Sequence, residues 1–267
     1  MSRRRLDTEL VRRGLARSRE HAADLVSAGR VRVSGQQAGK AATQVETGVP
    51  IVVAREAEET AYASRGGHKL AGALAAFAPR GLLVAGRRTL DAGASTGGFT
   101  DVLLRAGAAS VLAVDVGYGQ LAWALRSDPR VRVLDRTNVR ELLPEQVGEP
   151  VDLVVADLSF ISLRLVLPAL VRVAVPDADL VLLVKPQFEV GRERLGAGGV
   201  VRERELRAAA VGDVAGAAAM LGLGVLGVTA SPLPGPSGNV EYFLWLRAGA
   251  SPLAAAELER ALEEGPQ

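Results

Sequence analysis

Near the N-terminus, apolar residues recur at helical spacing. Around "DTELVRRGLA", Leu6, Leu10, Val11 and Leu15 share one face, which predicts a helix. Ser18 stands where an N-cap belongs, ahead of "REHAADLVSA", and Gly29 stands where a helix stops. "RVRVSG" then alternates apolar and polar positions and ends in a turn, which predicts a strand. Residues 54–64, "AREAEETAYAS", are acidic, lack an apolar period and are expected to form a linker between a module at 1–53 and a larger domain at 65–267.

Beyond the linker the two periods alternate. "RTLDAGAS" reads as a strand entering a glycine-rich turn, "GGFTDVLLRAGA" as a helix and "SVLAVDVG" as a strand. "QLAWALRSD" follows as a helix, then "VRVLDRT" and "DLVVADLSF" as strands and "LRLVLPALVRVA" as a helix. "DLVLLVKP" is a strand, "RERELRAAAVGDVAGAAAML" a helix, and "GLGVLGVTAS" and "EYFLWLRA" are the last two strands. Such alternation predicts an α/β domain with a doubly wound, mostly parallel sheet. Only the turn-rich "PLPGPSGN" separates the final strands, so the last one is expected to run antiparallel.

Composition narrows the function classes. The 267 residues contain no cysteine and two histidines, which excludes disulfides and argues against a metal site. No apolar run reaches the roughly 18–20 residues of a membrane span. "MSRRRLDTEL" has charge but no apolar segment after it, so no signal peptide is expected and the cytoplasm is the expected location. Charge is uneven: residues 1–40 carry ten basic groups against four acidic ones, in a chain whose net charge is +2. A basic module on a nearly neutral body suits a polyanionic partner.

Those first residues resemble the S4 RNA-binding domain. Arg19–Gly35 fits its pattern R-x-x-A-x-x-L-[IV]-x-x-G-x-V-x-[VI]-x-G. The resemblance implies a small α+β module that meets RNA phosphates, with Arg3, Arg4, Arg5, Arg17, Arg19 and Arg30 as candidates and Arg65 joining them past the linker.

"LDAGASTGGFT" follows a strand and opens a helix. Gly93 permits a tight turn, Gly97 and Gly98 let backbone approach a ligand, and the helix offers free N–H groups to an anion. Asp115 ends the next strand, where an acid can accept both hydroxyls of a ribose. The spacing is neither that of a dinucleotide fingerprint nor that of a P-loop. It resembles motif I of methyltransferases that use S-adenosylmethionine (SAM). The candidate cofactor residues are Asp91, Gly93, Ser95, Thr96, Gly97, Gly98, Phe99 and Asp115, with Asp135 or Asn138 toward an adenine.

Of 32 basic side chains only Lys40, Lys69 and Lys185 are lysine. Lys69 opens a helix, Asp157 ends "DLVVAD", Lys185 ends "DLVLLVK" and Glu241 begins "EYFLWL". Strand C-termini face the ligand crevice of a doubly wound sheet, and an antiparallel last strand brings Glu241 to the same edge. A lysine can be tuned to act as a base, whereas arginine stays protonated. Such a set suits activation of a ribose 2′-hydroxyl, with Lys185 at the hydroxyl, Asp157 orienting it, Lys69 stabilising developing oxyanion charge and Glu241 fixing Lys69 or the ribose.

The order Lys69–Asp157–Lys185–Glu241 resembles the K-D-K-E tetrad of FtsJ-like RNA 2′-O-methyltransferases. With the S4-like segment in front, the chain is similar to the TlyA family throughout, in "YASRGGHKL", "LDAGASTGGFTDVLL", "DVGYGQLAW", "ADLSFISL", "LVKPQFEVG" and "SPLPGPSGNVEYFLWLR". The resemblance implies a Rossmann-like, SAM-dependent methyltransferase domain. It also implies cytidine 2′-O-methylation of 16S and 23S ribosomal RNA within ribosomal subunits, with the full N-terminal module and C-terminal tail resembling the longer subtype that acts on both. The family also carries the name haemolysin. One rival is a base-nitrogen methyltransferase, which commonly shows [DN]-P-P-[FY] where this chain has "DLSF". Others are a membrane-lytic protein, for which no long basic amphipathic helix is present, and an RNA-binding assembly factor.

Overall fold

The computed structural model describes residues 3–53, 62–235 and 237–265, with the side chains of Arg192 and Ala197 left aside. The chain forms two compact units, Met1–Ala61 and Tyr62–Gln267. Residues 54–61 of the expected linker lie outside the described residues.

In the first unit, β1 (Arg3–Arg5) leads into α1 (Leu6–Arg12), then α2 (Arg19–Ser27), β2 (Val31–Val33), β3 (Gln36–Gln37), β4 (Gln44–Glu46) and β5 (Ile51–Val53). The helical face read from the sequence buries Leu6 and Leu10 against Ala22, Leu25, Val26, Val31 and Val45. Ser18 Oγ accepts the His21 N–H at 3.0 Å, so the N-cap is present. Ser34 and Gly35, with φ of 50° and 81°, form the two-residue turn that joins β2 to β3. The sequence pattern gives no sign of β1, because its three residues are all exposed arginines that pair only through backbone with β4.

The second unit begins with α3 (Gly66–Phe77), followed by β6 (Arg88–Ala92), α4 (Gly98–Arg105), β7 (Ser110–Val114), α5 (Trp123–Arg126), β8 (Val131–Leu134) and α6 (Pro144–Val147). Then come β9 (Val151–Ala156), α7 (Leu163–Arg172), β10 (Ala174–Val184), α8 (Pro186–Glu189), α9 (Arg204–Ala219), β11 (Leu223–Ala230), β12 (Tyr242–Ala248) and α10 (Ala255–Glu264). Seven strands form one sheet in the order β11-β12-β10-β9-β6-β7-β8. The pairs β10–β9, β9–β6, β6–β7 and β7–β8 are parallel, and β12 runs antiparallel to both its neighbours. It is the expected α/β architecture with an antiparallel last strand.

Both faces are covered, which is why the strands are nearly continuous apolar runs. Val154, Leu180, Leu182, Tyr242 and Leu244 face one layer with α7 and α9 residues, while Leu153, Val155, Val181, Leu183 and Phe243 face the other with Leu70 and Phe77 of α3. The helix expected over "QLAWALRSD" shrinks to the single turn of α5, with the Ala122 N–H diverted to the Thr96 carbonyl at 3.2 Å. An unforeseen helix, α10, buries Ala261 and Leu262. Among the described residues no helix is long and apolar enough to cross a membrane.

Candidate active site

The chain reverses its strand order between β6 and β9, with β7 on one side of β6 and β9 on the other, and ligand crevices open at the C-terminal ends of such strands. The turn leaving β6 is tightly wound: Gly93, Ser95 and Gly97 have φ of 87°, 47° and 100°. A side chain on Gly93 would collide with the Asp157 carbonyl, and one on Gly98 with Ser64 Oγ and, at 2.7 Å, the Gly67 nitrogen. Glycine is therefore required at these two positions by protein backbone and side chain approaching from β9 and α3. The close approach expected of a ligand at Gly98 is made by the protein itself.

Asp115 fastens the crevice. One carboxylate oxygen accepts the Ser95 N–H at 2.8 Å and the other the Gly117 N–H at 2.7 Å, joining the turns after β6 and β7. Each oxygen keeps a further lone pair for a ligand hydroxyl. Asp91 is fully buried, with Oδ2 accepting Thr100 Oγ1 at 2.7 Å. Its Oδ1 has no hydrogen-bond partner among the described residues. Burial pushes this carboxyl up to about 7.

The other candidates toward a cofactor divide. Ser95 and Thr96 are exposed at the turn. Phe99 is a core residue instead, 3% exposed and packed 6.0 Å from the Phe243 ring. Asn138 caps the 3-10 turn Val139–Glu141, accepting the Arg140 N–H at 3.1 Å. Asp135 is ion-paired with Arg126 at 3.0 Å.

The four candidate catalytic residues form two ion pairs. Val184 of β10 stands opposite Tyr242 of β12, so the residues on either side of that register, Lys185 and Glu241, emerge at one sheet edge. Lys69, fourth residue of α3, donates to Glu241 Oε2 at 2.5 Å, and both are buried. Lys185 Nζ lies 2.6 Å from Asp157 Oδ1 and donates to Ser159 Oγ at 2.9 Å. Gln187 Nε2 reaches Glu241 Oε1 at 3.5 Å, linking the segment after Lys185 to the other pair. His68 packs its ring edge-on against Tyr62 at 5.1 Å.

Ser159, Gln187 and Glu189 also meet at this site, and the sequence pattern assigns none of them a role. Ser159 had a signal in its place two residues after Asp157. The partners of Gln187 and Glu189 lie 54 and 26 residues away in the chain, so local pattern could not show them.

The arginines read as RNA contacts are distributed over both units. Arg3, Arg4 and Arg5 line up on exposed β1. Arg5 and Arg19 share Asp7, at 2.7 and 3.1 Å. The hydrogen bond from Arg5 holds the Asp7 carboxyl well below the usual range against the cost of burial, with Arg19 and Thr8 assisting. Arg17 is exposed and Arg30 half-buried. In the second unit Arg65 is exposed and donates to the Pro234 carbonyl at 3.0 Å.

The FtsJ-like methyltransferase family matches residues 62–248, and the S4 domain matches residues 4–51. A 16S/23S rRNA (cytidine-2′-O)-methyltransferase TlyA of Mycobacterium tuberculosis is 62% identical over 100% of both chains. The chain belongs to the TlyA family of FtsJ-like methyltransferases. Hemolysin A of Brachyspira hyodysenteriae, also similar to it, is 35% identical over 89% of this chain and 97% of its own. A solved structure provisionally described as a hemolysin, from Streptococcus thermophilus, superposes with a TM-score of 0.77 at 38% identity, covering 99% of this chain and 97% of that one. In this TlyA-family chain the crevice residues fit a nucleoside-bearing group: a wound turn tied to Asp115, spare lone pairs on that acid, and an orphaned buried oxygen on Asp91.

Proposed function

We infer that this chain transfers a methyl group from SAM to the 2′-hydroxyl of cytidine in ribosomal RNA of the 16S and 23S type, acting on ribosomal subunits in the cytoplasm. The observation that carries this reading is the pair of buried lysines, each held by its own carboxylate at one sheet edge. Family membership and the TlyA relative's name supply the substrate class.

The turn 93–98 and Asp115 would hold SAM, with Asp135 or Asn138 toward the adenine and the Asp91 carboxyl behind the turn. When bound, SAM supplies a methyl group made electrophilic by its sulfonium. The chain's own residues prepare the nucleophile. A ribose hydroxyl reacts once its oxygen lies in line with the methyl–sulfur bond that would break, the sulfur keeping that electron pair, and its proton is drawn away. Lys185 is placed for this: its amine already has Asp157 and Ser159 as partners, and an amine has room for a third. In its neutral form it takes the hydroxyl proton as the new C–O bond forms. Asp157 fixes the amine's position and stabilises the ammonium that results. Lys69, steadied by Glu241, stabilises charge building on the ribose oxygen. The exposed arginines Arg3, Arg4, Arg5, Arg17 and Arg19, with Arg30 and Arg65, supply phosphate contacts that set register without reading sequence.

The test is methylation of ribosomal subunits or rRNA fragments whose target cytidine is ribo or 2′-deoxy. The expected outcome is transfer to the ribo target alone. Methyl incorporation into the deoxy target would identify a base-nitrogen enzyme and overturn the reading.

A further inference from the structure

We propose that Glu189 is a positioning residue for methyl transfer: it straps the exit of β9 to the exit of β10 and so holds Asp157, Ser159 and Lys185 in register. This rests on the reading that Lys185 takes part in the reaction.

Glu189 is the last residue of α8, four positions beyond Lys185, and is 4% exposed. Its carboxylate crosses to the other strand's exit. Oε2 accepts Ser162 Oγ at 2.5 Å and Oε1 accepts the Leu163 N–H at 2.7 Å. Those residues open α7, just past Asp157 and Ser159, and the helix N-terminus favours an anion there. Arg164 closes the clasp, donating to the Glu189 carbonyl at 3.1 Å with its guanidinium 3.4 Å from the carboxylate. The two strand exits are therefore joined twice, once by Lys185 with Asp157 and Ser159, and once by Glu189 with Ser162 and Leu163.

The segment between these joins needs holding. Phe160 has φ of 64°, a conformation that a bulky residue rarely adopts and that persists only where surroundings impose it. The residue is 91% exposed, and its ring meets that of Phe188 in α8 at 5.2 Å, a further contact between the same two strand exits. The strap begins two residues later. Burial raises the Glu189 carboxyl above the ordinary glutamate range despite the hydrogen bonds from Ser162 and Leu163. The chain thus keeps an acid at a position where burial opposes its charge.

The experiment is single-turnover methyl transfer with SAM and RNA affinities measured alongside, at a temperature where each variant is folded. Glu189→Ala is expected to lower kcat about 10–100-fold, the scale of a small misplacement of a reacting group, with both affinities within about threefold. Glu189→Gln can still accept the Leu163 N–H and donate to Ser162 Oγ, so it should recover most of that loss. In a cycle with Ser159→Ala, the double variant should lose less than the product of the single losses, because both act through the same amine. If Glu189→Ala does not fold, Ser162→Ala removes the same contact from the other side and should lower kcat in the same sense. Unchanged kcat in the variant that folds, a Gln variant as impaired as Ala, or independent losses in the cycle would each overturn the strap. Lys185→Ala separates the two ideas. If it is inactive while Glu189→Ala turns over normally, only the strap falls, and if it turns over normally, the catalytic reading itself falls.

Discussion

Strand β10 carries one cluster of buried charge just past its C-terminal end and another at its middle, and the two clusters are built from different cations. At its C-terminal end Lys185 meets Asp157, and Lys69 meets Glu241 close by. Six residues earlier, about 20 Å along an extended strand, Asp179 is fully buried and takes only arginines and an indole. Arg87 lies 2.5 Å from it, Arg247 binds both its oxygens at 2.8 and 2.7 Å, and Trp245 donates at 2.6 Å. Burial alone would raise the Asp179 carboxyl, but the hydrogen bonds from Arg247, Trp245 and Arg87 outweigh it and hold it below the ordinary range. The second cluster stitches β12 and the start of β6 to β10, and its planar, permanently charged donors suit that purpose. The first cluster uses the chain's rare lysines, whose compact amine can exchange a proton. In a chain so biased toward arginine, that contrast separates a structural cluster from a chemical one.

The comparison can be broken by removing one acid from each cluster. Asp157→Ala is expected to lower turnover by about 10²–10⁴-fold, the usual contribution of positioned proton transfer, with little change in SAM affinity. Asp179→Ala leaves two guanidinium groups facing a buried gap and should cost about 3–5 kcal/mol of stability, measured by denaturant unfolding, with turnover per folded molecule within about twofold of wild type. Similar losses of turnover from both variants would erase the distinction.

Asp91 sharpens it with a third kind of buried acid, one with no ion-pair partner among the described residues. Its folded pKa lies near 7, above the unfolded value of about 4. The folded chain therefore holds this proton more tightly, so the associated stability is fully present below about pH 4 and is lost as pH rises toward 7. Asp91→Asn should raise the melting temperature relative to wild type, with the gain growing between pH 5 and pH 8 to on the order of 2 kcal/mol. A gain that shrinks with rising pH would contradict the assignment. The smallest expected effect is Arg247→Lys, which keeps charge but loses the two-point contact. It should cost about 1 kcal/mol in thermal unfolding and leave turnover unchanged.

Much of this contrast was legible in the chain. Alternating periods gave the doubly wound sheet, and the short connection before "EYFLWLRA" gave the antiparallel β12 that brings Glu241 beside Lys185. The scarcity of lysine pointed to Lys185 before any geometry did. Asp179 escaped notice because it opens a run of apolar residues and its partners sit on β12 and before β6, contacts that only tertiary register creates. The same limit hid Glu189, whose partners belong to another strand's exit. Phe99 lies in a pocket motif but, as the second residue of α4, packs into the core with Leu103 and Phe243. β1 was invisible because three arginines carry no apolar alternation, and α5 shortened because tertiary backbone bonding overrode its helical period.

The most direct test replaces the lysine of the first cluster with the kind of cation found in the second. Lys185→Arg keeps positive charge beside Asp157 but removes the exchangeable amine. The account predicts a folded protein with near-normal SAM affinity and no detectable 2′-O-methylation of ribosomal subunits. Turnover close to wild type in Lys185→Arg would show that charge alone suffices at this edge and would contradict the central claim.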